Sequence, residues 1–187
     1  MKIIKSPIKD LLIIEPKVFG DSRGYFFEAF NENVLKENGI NIRFVQDNQS
    51  SSSYGVVRGL HYQKDPKAQT KLVRVLEGTI FDVAVDCRKG SPSFGKWFGL
   101  ELTAENKKQL FIPKGFAHGF SVLSKNAVVF YKCDEFYAPE SDAGILYNDP
   151  ALNIDWQIPE DKIILSEKDA RQPLFSDSPI NFKFNRN

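Results

Sequence analysis

The sequence predicts an all-β protein, an antiparallel sandwich or barrel with few short helices. Roughly ten or eleven short runs rich in β-branched and aromatic residues follow one another at regular spacing, and turn residues separate them. The chain also carries 16 Phe among its 187 residues, and rings at that density suit a β-sheet core. Neither a repeat nor a linker breaks the pattern, so we expect residues 1–187 to form a single domain.

The first third of the chain predicts three strands, a turn and one helix. The strands are expected at 11–16, 25–30 and 42–46, and the turn at 19–24. Residues 31–38 predict a short helix that Asn31 caps and Gly39 ends, with Val34 and Leu35 on its buried face.

Residues 47–54 are polar and include four consecutive serines, Ser50 to Ser53. A serine run is usually a flexible linker. This one is short and lies between two predicted strands, so we expect a loop on the substrate side rather than a domain boundary.

The middle of the chain predicts a rapid succession of strands. They are expected at 56–63, 71–76, 79–86, 96–102, 110–113, 116–123 and 127–136. The run at 79–86 alternates imperfectly, which indicates a strand buried on both faces. Beyond Pro139 the chain is expected to be loop-rich, with short helical or irregular pieces.

Composition limits the classes of function. The net charge is +1, so bulk electrostatics do not favour nucleic acid, and any anion site must be a local cluster. No run approaches the ~18 apolar residues of a membrane span, and the N-terminus lacks a signal-peptide pattern.

Cys87 and Cys133 lie in β-like runs. A disulfide between them is possible, but two buried, reduced thiols in a cytoplasmic protein are the better expectation.

The segment from Val56 to Gln63 is the strongest candidate for chemistry. It places Arg58 and His61 among apolar β-formers, where both are costly to bury unless paired. In a cavity the arginine can hold an anionic substrate and the histidine can move a proton. Their odd spacing would put them on opposite faces of a regular strand. A shared cavity therefore requires a bulge, and Gly59 is where one would be tolerated.

A metal centre is disfavoured by the ligand supply. A histidine-based barrel site needs about three His and a carboxylate, whereas this chain has two, His61 and His118. Gln63 stands where a His-x-His pair would place its second ligand. Taken alone, a histidine such as His61 in a β-protein is more often a satisfied, partly buried residue than a catalyst.

Each of the other candidate residues also has an ordinary structural explanation when it is considered alone. Lys71 is a charge at a strand end, Tyr131 a core aromatic with a paired hydroxyl, and Asp169 a cap or turn residue.

Taken together, these segments resemble one known family. The matching blocks are 58–63 (RGLHYQ), 71–75 (KLVRV), 81–86 (FDVAVD), 112–120 (IPKGFAHGF), 131–133 (YKC), 148–150 (NDP) and 165–169 (LSEKD). In this order, from about Leu12 to Pro173, they resemble the dTDP-4-dehydrorhamnose 3,5-epimerases.

The resemblance implies a cupin-like double-stranded β-helix, or jelly-roll, that forms a homodimer and uses neither a metal nor an organic cofactor. It implies an isomerase that converts dTDP-4-dehydro-6-deoxy-D-glucose to dTDP-4-dehydro-L-rhamnose, on the cytoplasmic route to dTDP-L-rhamnose and surface polysaccharide such as O-antigen. A related epimerase acting at C3 or C5 only stays open. A metal-dependent oxygenase and a non-catalytic nucleotide-sugar-binding module are the alternatives from other classes.

The resemblance also implies residue roles. His61 matches the general base, Asp169 its partner, Tyr131 the acid on the other face, and Lys71 the group that stabilises the enolate. The matched substrate-binding positions are Arg23, Glu28, Gln46, Asn48, Arg58, His118 and Lys168. Tyr137 matches the residue that stacks on thymine, and Arg23 is expected to reach the partner subunit's site. Asp142 is also matched to a substrate-binding position. The family pattern has a glutamate there, so this chain departs from the family at that contact.

Overall fold

The computed structural model describes residues 1–184 and confirms an all-β protein. Its strands are β1 (Lys2–Lys5), β2 (Leu12–Glu15), β3 (Val18–Asp21), β4 (Gly24–Phe27), β5 (Gln46–Ser53), β6 (Val57–Gln63), β7 (Lys71–Glu77), β8 (Thr79–Asp86), β9 (Trp97–Thr103), β10 (Gln109–Ile112), β11 (Phe116–Val122), β12 (Asn126–Cys133) and β13 (Asp142–Gly144). Its α-helices are α1 (Glu32–Glu37) and α2 (Glu167–Ala170), and 3-10 turns lie at Pro139–Ser141 and Glu160–Lys162. The described chain has more strands than the sequence predicted, because β1, β3, β5 and β13 were not among the predicted strands.

Two antiparallel sheets face each other. The first has the strand order β1-β2-β10-β7-β12-β5, and the second has the order β13-β6-β11-β8-β9. Between them lies a core to which the first sheet contributes Val73 and Leu110 and the second contributes Ile80 and Phe120. Burying each such side chain stabilises the fold by about 1.5–3 kcal/mol. This double-sheet arrangement confirms the predicted cupin-like class.

The second sheet is covered on its outer face as well. Trp156 and Phe182 from the C-terminal part of the chain pack there against Val83 and Val85 of β8. Because β8 has apolar partners on both sides, seven of its eight residues are buried. The predicted strand with two buried faces is therefore confirmed.

Helix α1 forms as its capping signals predict. The side chain of Asn31 accepts hydrogen bonds from the backbone amides of Asn33 and Val34, at 3.0 and 3.3 Å. Leu35 is buried, and Gly39 follows the helix at a φ of +81°. Within residues 1–184, no helix is long and apolar enough to cross a membrane.

The predicted loop at 47–54 is wrong. Residues Gln46–Ser53 form β5, which pairs along its whole length with β12 at the edge of the first sheet. Backbone hydrogen bonds to a neighbouring strand do not require apolar side chains, so a polar strand forms where an edge is available. The preceding run 42–45, predicted as a strand, lies outside the strands, and Ile42 and Phe44 pack beside α1 instead.

The predicted turn at 19–24 is the tip of a hairpin made by β3 and β4. Asp21 pairs with Gly24, so the turn itself is confined to residues 22 and 23. The hairpin belongs to neither main sheet and leaves Phe19, Tyr25 and Phe26 more than half exposed.

The two cysteines fit their prediction. Cys87 and Cys133 are both free and buried.

Candidate active site

A cavity of about 140 Å³ opens between the two sheets. The second sheet lines it with Arg58, His61, His118 and Phe120, and the first with Ser50, Lys71 and Tyr131. Five of these seven residues were candidates from sequence alone. The fold therefore brings together side chains that are far apart in the chain.

A bulge in β6 lets Arg58 and His61 share this cavity. In the pairing with β11, His61 lies opposite His118 and Arg58 lies opposite Phe120. Two residues of β6 thus face the single Gly119 of β11, and the alternation of faces is reversed once. Gly59 has a φ of +129°, and a Cβ there would lie 2.5 Å from the Gly119 Cα. The bulge required by the sequence is confirmed, and its close backbone contact explains the glycine.

His61 is bound to a carboxylate from a distant part of the chain. Its Nε2 lies 2.5 Å from Oδ1 of Asp169, which α2 carries and the rest of the structure buries. Ser166 caps that helix by accepting a hydrogen bond from the Asp169 amide at 3.1 Å. Burial alone would raise the pKa of Asp169, but hydrogen bonds from His61 and Ser166 and the charge of Lys168 outweigh it and leave the pKa below its ordinary value.

This pair suits proton transfer. The imidazole is about one third exposed, at 32%, whereas the carboxylate is 5% exposed. An ionised carboxylate that accepts from one ring nitrogen fixes the tautomer and leaves the other nitrogen as the base.

A second histidine–carboxylate pair forms the buried end of the cavity. His118 Nε2 lies 2.7 Å from Oδ1 of Asp82, and both side chains are buried. Burial lowers the pKa of His118, the charges of Lys71 and His61 act in the same direction, and Asp82 opposes them. Oδ2 of Asp82 is buried and has no hydrogen-bond partner among residues 1–184.

Asp82 was not among the residues singled out from sequence. One signal pointed to it: a lone carboxylate in the middle of a strand predicted to be buried on both faces needs a partner. Across the part of the chain that the structure describes, no three His, Cys, Asp or Glu side chains group as metal ligands.

Lys71 and Tyr131 approach the cavity from the opposite sheet. The Lys71 ammonium lies 5.8 Å from the centroid of the Tyr131 ring. Burial lowers the pKa of Lys71, against the charges of Cys133, Asp82 and Asp142. Burial also raises the pKa of Tyr131, so its hydroxyl keeps its proton near neutral pH.

Three further candidates meet outside the cavity proper. The Lys168 ammonium forms an ion pair with Oδ2 of Asp142, and the Tyr137 hydroxyl lies 3.5 Å from the same oxygen. The hydrogen bond that the Lys168 ammonium donates to Asp142 raises the pKa of Lys168. These contacts bring the β12–β13 connection against α2, the helix that carries Asp169.

Strand β5 adds a polar row on the cavity side. Gln46, Asn48, Ser50 and Ser52 alternate with exposed residues and are each half-buried. Gln46 Nε2 donates to Oδ1 of Asn48 at 3.1 Å, and Arg58 Nε donates to Oγ of Ser52 at 3.0 Å. The sequence did not predict this row, because an alternation of buried and exposed residues leaves no pattern in a run that is polar throughout.

Arg23 and Glu28 lie away from the cavity of their own chain. Arg23 occupies the hairpin turn, where its guanidinium contacts Asp21 at 2.6 Å, and its side chain is 88% exposed. Glu28 follows β4 and is also exposed. Neither residue lines the cavity.

The chain matches known proteins over nearly its whole length. The family model for dTDP-4-dehydrorhamnose 3,5-epimerase matches residues 5–177. The enzyme of that name from Shigella flexneri is 55% identical over 179 residues, which cover 95% of this chain and 98% of the relative.

Solved structures agree with this match. An Elizabethkingia anophelis dTDP-4-dehydrorhamnose 3,5-epimerase is 58% identical with a TM-score of 0.91, covering 95% of this chain and 97% of that one. A dTDP-6-deoxy-D-glucose-3,5-epimerase from Legionella pneumophila, in complex with dTDP-4-keto-L-rhamnose, is 52% identical with a TM-score of 0.94, covering 98% of both chains. On this evidence the chain belongs to the dTDP-4-dehydrorhamnose 3,5-epimerase family.

Proposed function

We propose that the protein inverts C3 and C5 of dTDP-4-dehydro-6-deoxy-D-glucose and releases dTDP-4-dehydro-L-rhamnose, as a cytoplasmic step of dTDP-L-rhamnose synthesis. The observation that carries this proposal is the division of the cavity. One wall holds the His61–Asp169 pair, and the opposite wall holds Lys71 and Tyr131.

Proton removal is the first step. C3 and C5 both flank the C4 ketone, which acidifies the proton on each carbon. His61 takes that proton as general base, since a histidine works near neutral pH. Asp169 holds the ring in one tautomer and stabilises the imidazolium that forms.

The electrons from the broken C–H bond move onto the carbonyl oxygen and form an enolate. Lys71 stabilises this charge when its ammonium lies against the oxygen, and such electrostatic stabilisation is usually the largest contribution to catalysis. Its partly buried position strengthens the effect, because little water screens the charge there.

Inversion needs a proton donor on the other side of the sugar ring. Tyr131 lies on the sheet opposite His61 and keeps its hydroxyl protonated, so it can deliver a proton to that face. After turnover His61 holds the substrate proton and Tyr131 has lost one. Exchange of both groups with water restores them.

Binding of the nucleotide uses the residues around the cavity mouth. Arg58 supplies a guanidinium for the diphosphate, and Tyr137 supplies an exposed ring for the pyrimidine. Gln46, Asn48, His118, Asp142 and Lys168 complete the proposed set of substrate contacts.

We also propose a homodimer whose partner completes each site. The exposed β3–β4 hairpin carries a large apolar surface together with Arg23, which lies outside its own cavity. Such a patch is typical of an interface. An arm that crosses to a second copy would bury these rings and bring Arg23 and Glu28 to the partner's substrate.

A complementation experiment tests the crossed arm. Arg23→Ala and His61→Ala are each expected to be nearly inactive. Mixed and re-associated, they should regain activity, since a heterodimer holds one site with both native residues if Arg23 acts across the interface. No recovery in a mixture shown to exchange subunits means that Arg23 does not act across the interface.

Proton NMR of the substrate in heavy water tests the reaction itself. Deuterium should enter at both C3 and C5, and a downstream reductase should turn the product into dTDP-L-rhamnose. Exchange at one carbon only would assign the protein to the C3- or C5-only epimerases. Tight binding without exchange would overturn the proposal.

A further inference from the structure

Gln63 is a buried polar residue that the proposed chemistry does not use. It lies in β6 two residues after His61 and is 4% exposed. Its Nε2 donates to the carbonyls of Lys67 and Phe136 at 2.7 and 3.2 Å, and its Oε1 accepts from the Ala138 amide at 2.8 Å. Both ends of the amide are therefore satisfied, and every bond goes to the backbone of a connecting segment.

Two of these bonds hold the peptide groups on either side of Tyr137. Gln46 of β5, in the other sheet, adds a third bond, because its Oε1 accepts from the Tyr137 amide at 3.0 Å. Phe136 and Tyr137 are more than half exposed, so side-chain packing contributes little to fixing this segment. The backbone around Tyr137 is instead held by side-chain amides from two strands, one in each sheet.

The Tyr137 ring has little else to orient it. Its hydroxyl lies 3.5 Å from Oδ2 of Asp142, at the long limit of a hydrogen bond. An exposed ring on an unrestrained backbone would sample many directions. A ring used for stacking has to be held in one plane before the base arrives.

We propose that Gln63 is a positioning residue for the nucleobase platform: it fixes the peptides flanking Tyr137 so that the ring stands ready to stack on a pyrimidine. This inference rests on the proposed function, in which Tyr137 contacts the base. It also gives a reason for a glutamine two residues after the catalytic histidine. Strand β6 then carries the base for the reaction at His61 and the support for binding at Gln63.

The amide is the group that this position requires. A glutamate of the same size would present oxygen to two carbonyls that now receive N–H donors, and a leucine would leave all three backbone groups without their partner. Gln69 offers a matched control. Its Nε2 donates to the Glu135 carbonyl at 2.8 Å, so it restrains the same segment without touching the peptides beside Tyr137.

The experiment measures binding of dTDP and of inorganic pyrophosphate by calorimetry. The variants are Gln63→Leu, Gln63→Glu, Gln69→Leu, Tyr137→Ala and the double variant Gln63→Leu/Tyr137→Ala. Gln63→Leu should weaken dTDP binding about fivefold to tenfold, part of the value of one stacked base. Pyrophosphate binding and the exchange rate at saturating substrate should stay unchanged, so that KM rises while kcat does not.

The double variant separates positioning from general stability. If Gln63 acts through the ring, then Gln63→Leu weakens dTDP no further once Tyr137 is alanine, and Gln69→Leu has little effect. Additive losses, or equal losses in Gln69→Leu, would overturn the inference while leaving the proposed function intact. If Gln63→Leu does not fold, Gln63→Glu takes its place in the same cycle. A Tyr137→Ala variant with native dTDP affinity would overturn both the platform and this inference.

Discussion

The two histidine–aspartate pairs start from the same place in one sheet and end in different surroundings. His61 and His118 are direct neighbours across β6 and β11, and both line the cavity. His61 reaches outward to Asp169 on a short helix and stays one third exposed, whereas His118 reaches Asp82 within the sheet and is buried. The same two residue types thus form one pair with a partly exposed imidazole and one pair whose side chains are both buried.

The difference shows how surroundings assign roles. Partial exposure leaves the His61 imidazole within reach of a substrate, and Asp169 holds its Nε2. Burial lowers the pKa of His118, which therefore stays neutral and can serve as a hydrogen-bonding partner for substrate.

Removing the exposed imidazole should have the largest effect. We expect His61→Ala to lower the rate of deuterium exchange by about 10⁴-fold, the upper range for a general base. The fold should survive, because the side chain lies at the cavity surface, and thermal unfolding checks this. A variant that exchanges at the native rate would remove His61 from the mechanism.

Replacing each carboxylate by an amide should affect the two pairs differently, one mainly in kcat and the other mainly in stability. Asp169→Asn is expected to lower kcat by about 10³-fold, because an amide can hold the wrong tautomer of His61. Asp82→Asn should lower kcat far less but destabilise the fold by about 1–3 kcal/mol, since the amide's donors would replace a buried oxygen that has no partner. Steady-state kinetics and urea unfolding measure both quantities, and equal kinetic losses would contradict the division.

Tyr131→Phe tests the wall that faces both pairs. It removes the proton donor and leaves His61 in place, so inverted product should fall by about 10²-fold while proton abstraction falls less. Mass spectrometry of recovered substrate reports abstraction, and NMR reports inversion. If both fall by the same factor, the acid is another group.

The smallest effect concerns pH and stability. Burial lowers the pKa of His118 below that of the unfolded chain, so the unfolded state binds more protons below about pH 6.5. The free energy of unfolding should therefore fall as the pH drops from 7 to 5, by at most about 1.4 kcal/mol per pH unit for one proton. In His118→Gln this part of the slope should vanish, as urea unfolding at several pH values will show.

Asp169 acts in a different window. Its folded-state pKa is lowered, so its contribution to stability is complete above an ordinary aspartate pKa and is lost only below about pH 4. Asp169→Asn should leave the contribution of His118 between pH 7 and 5 unchanged.

For the His118 prediction, the contradicting outcome is an identical slope of unfolding free energy against pH in wild type and His118→Gln. That outcome would show that the second pair does not titrate as its burial implies.

The sequence by itself determined what depends on neighbours along the chain. Alternating and continuous apolar runs specified β7, β8, β11 and β12, because burial of a strand face leaves a period in the sequence. Asn31 and Gly39 bounded α1 through local hydrogen bonds and backbone conformation. Even the bulge at Gly59 followed from two side chains at odd spacing that needed one cavity.

Only the tertiary structure decided what depends on partners from elsewhere. β5 is polar throughout and becomes a strand because β12 offers it an edge, a contact that no local pattern records. Only the family resemblance named Asp169 as the partner of His61, because no local pattern connects residues 108 positions apart. Asp82 meets His118 only when β8 lies beside β11. Local interactions determine the strands and the helix caps. The contact of each histidine with its aspartate, and the exposure of each ring, arise only when distant parts of the chain pack together.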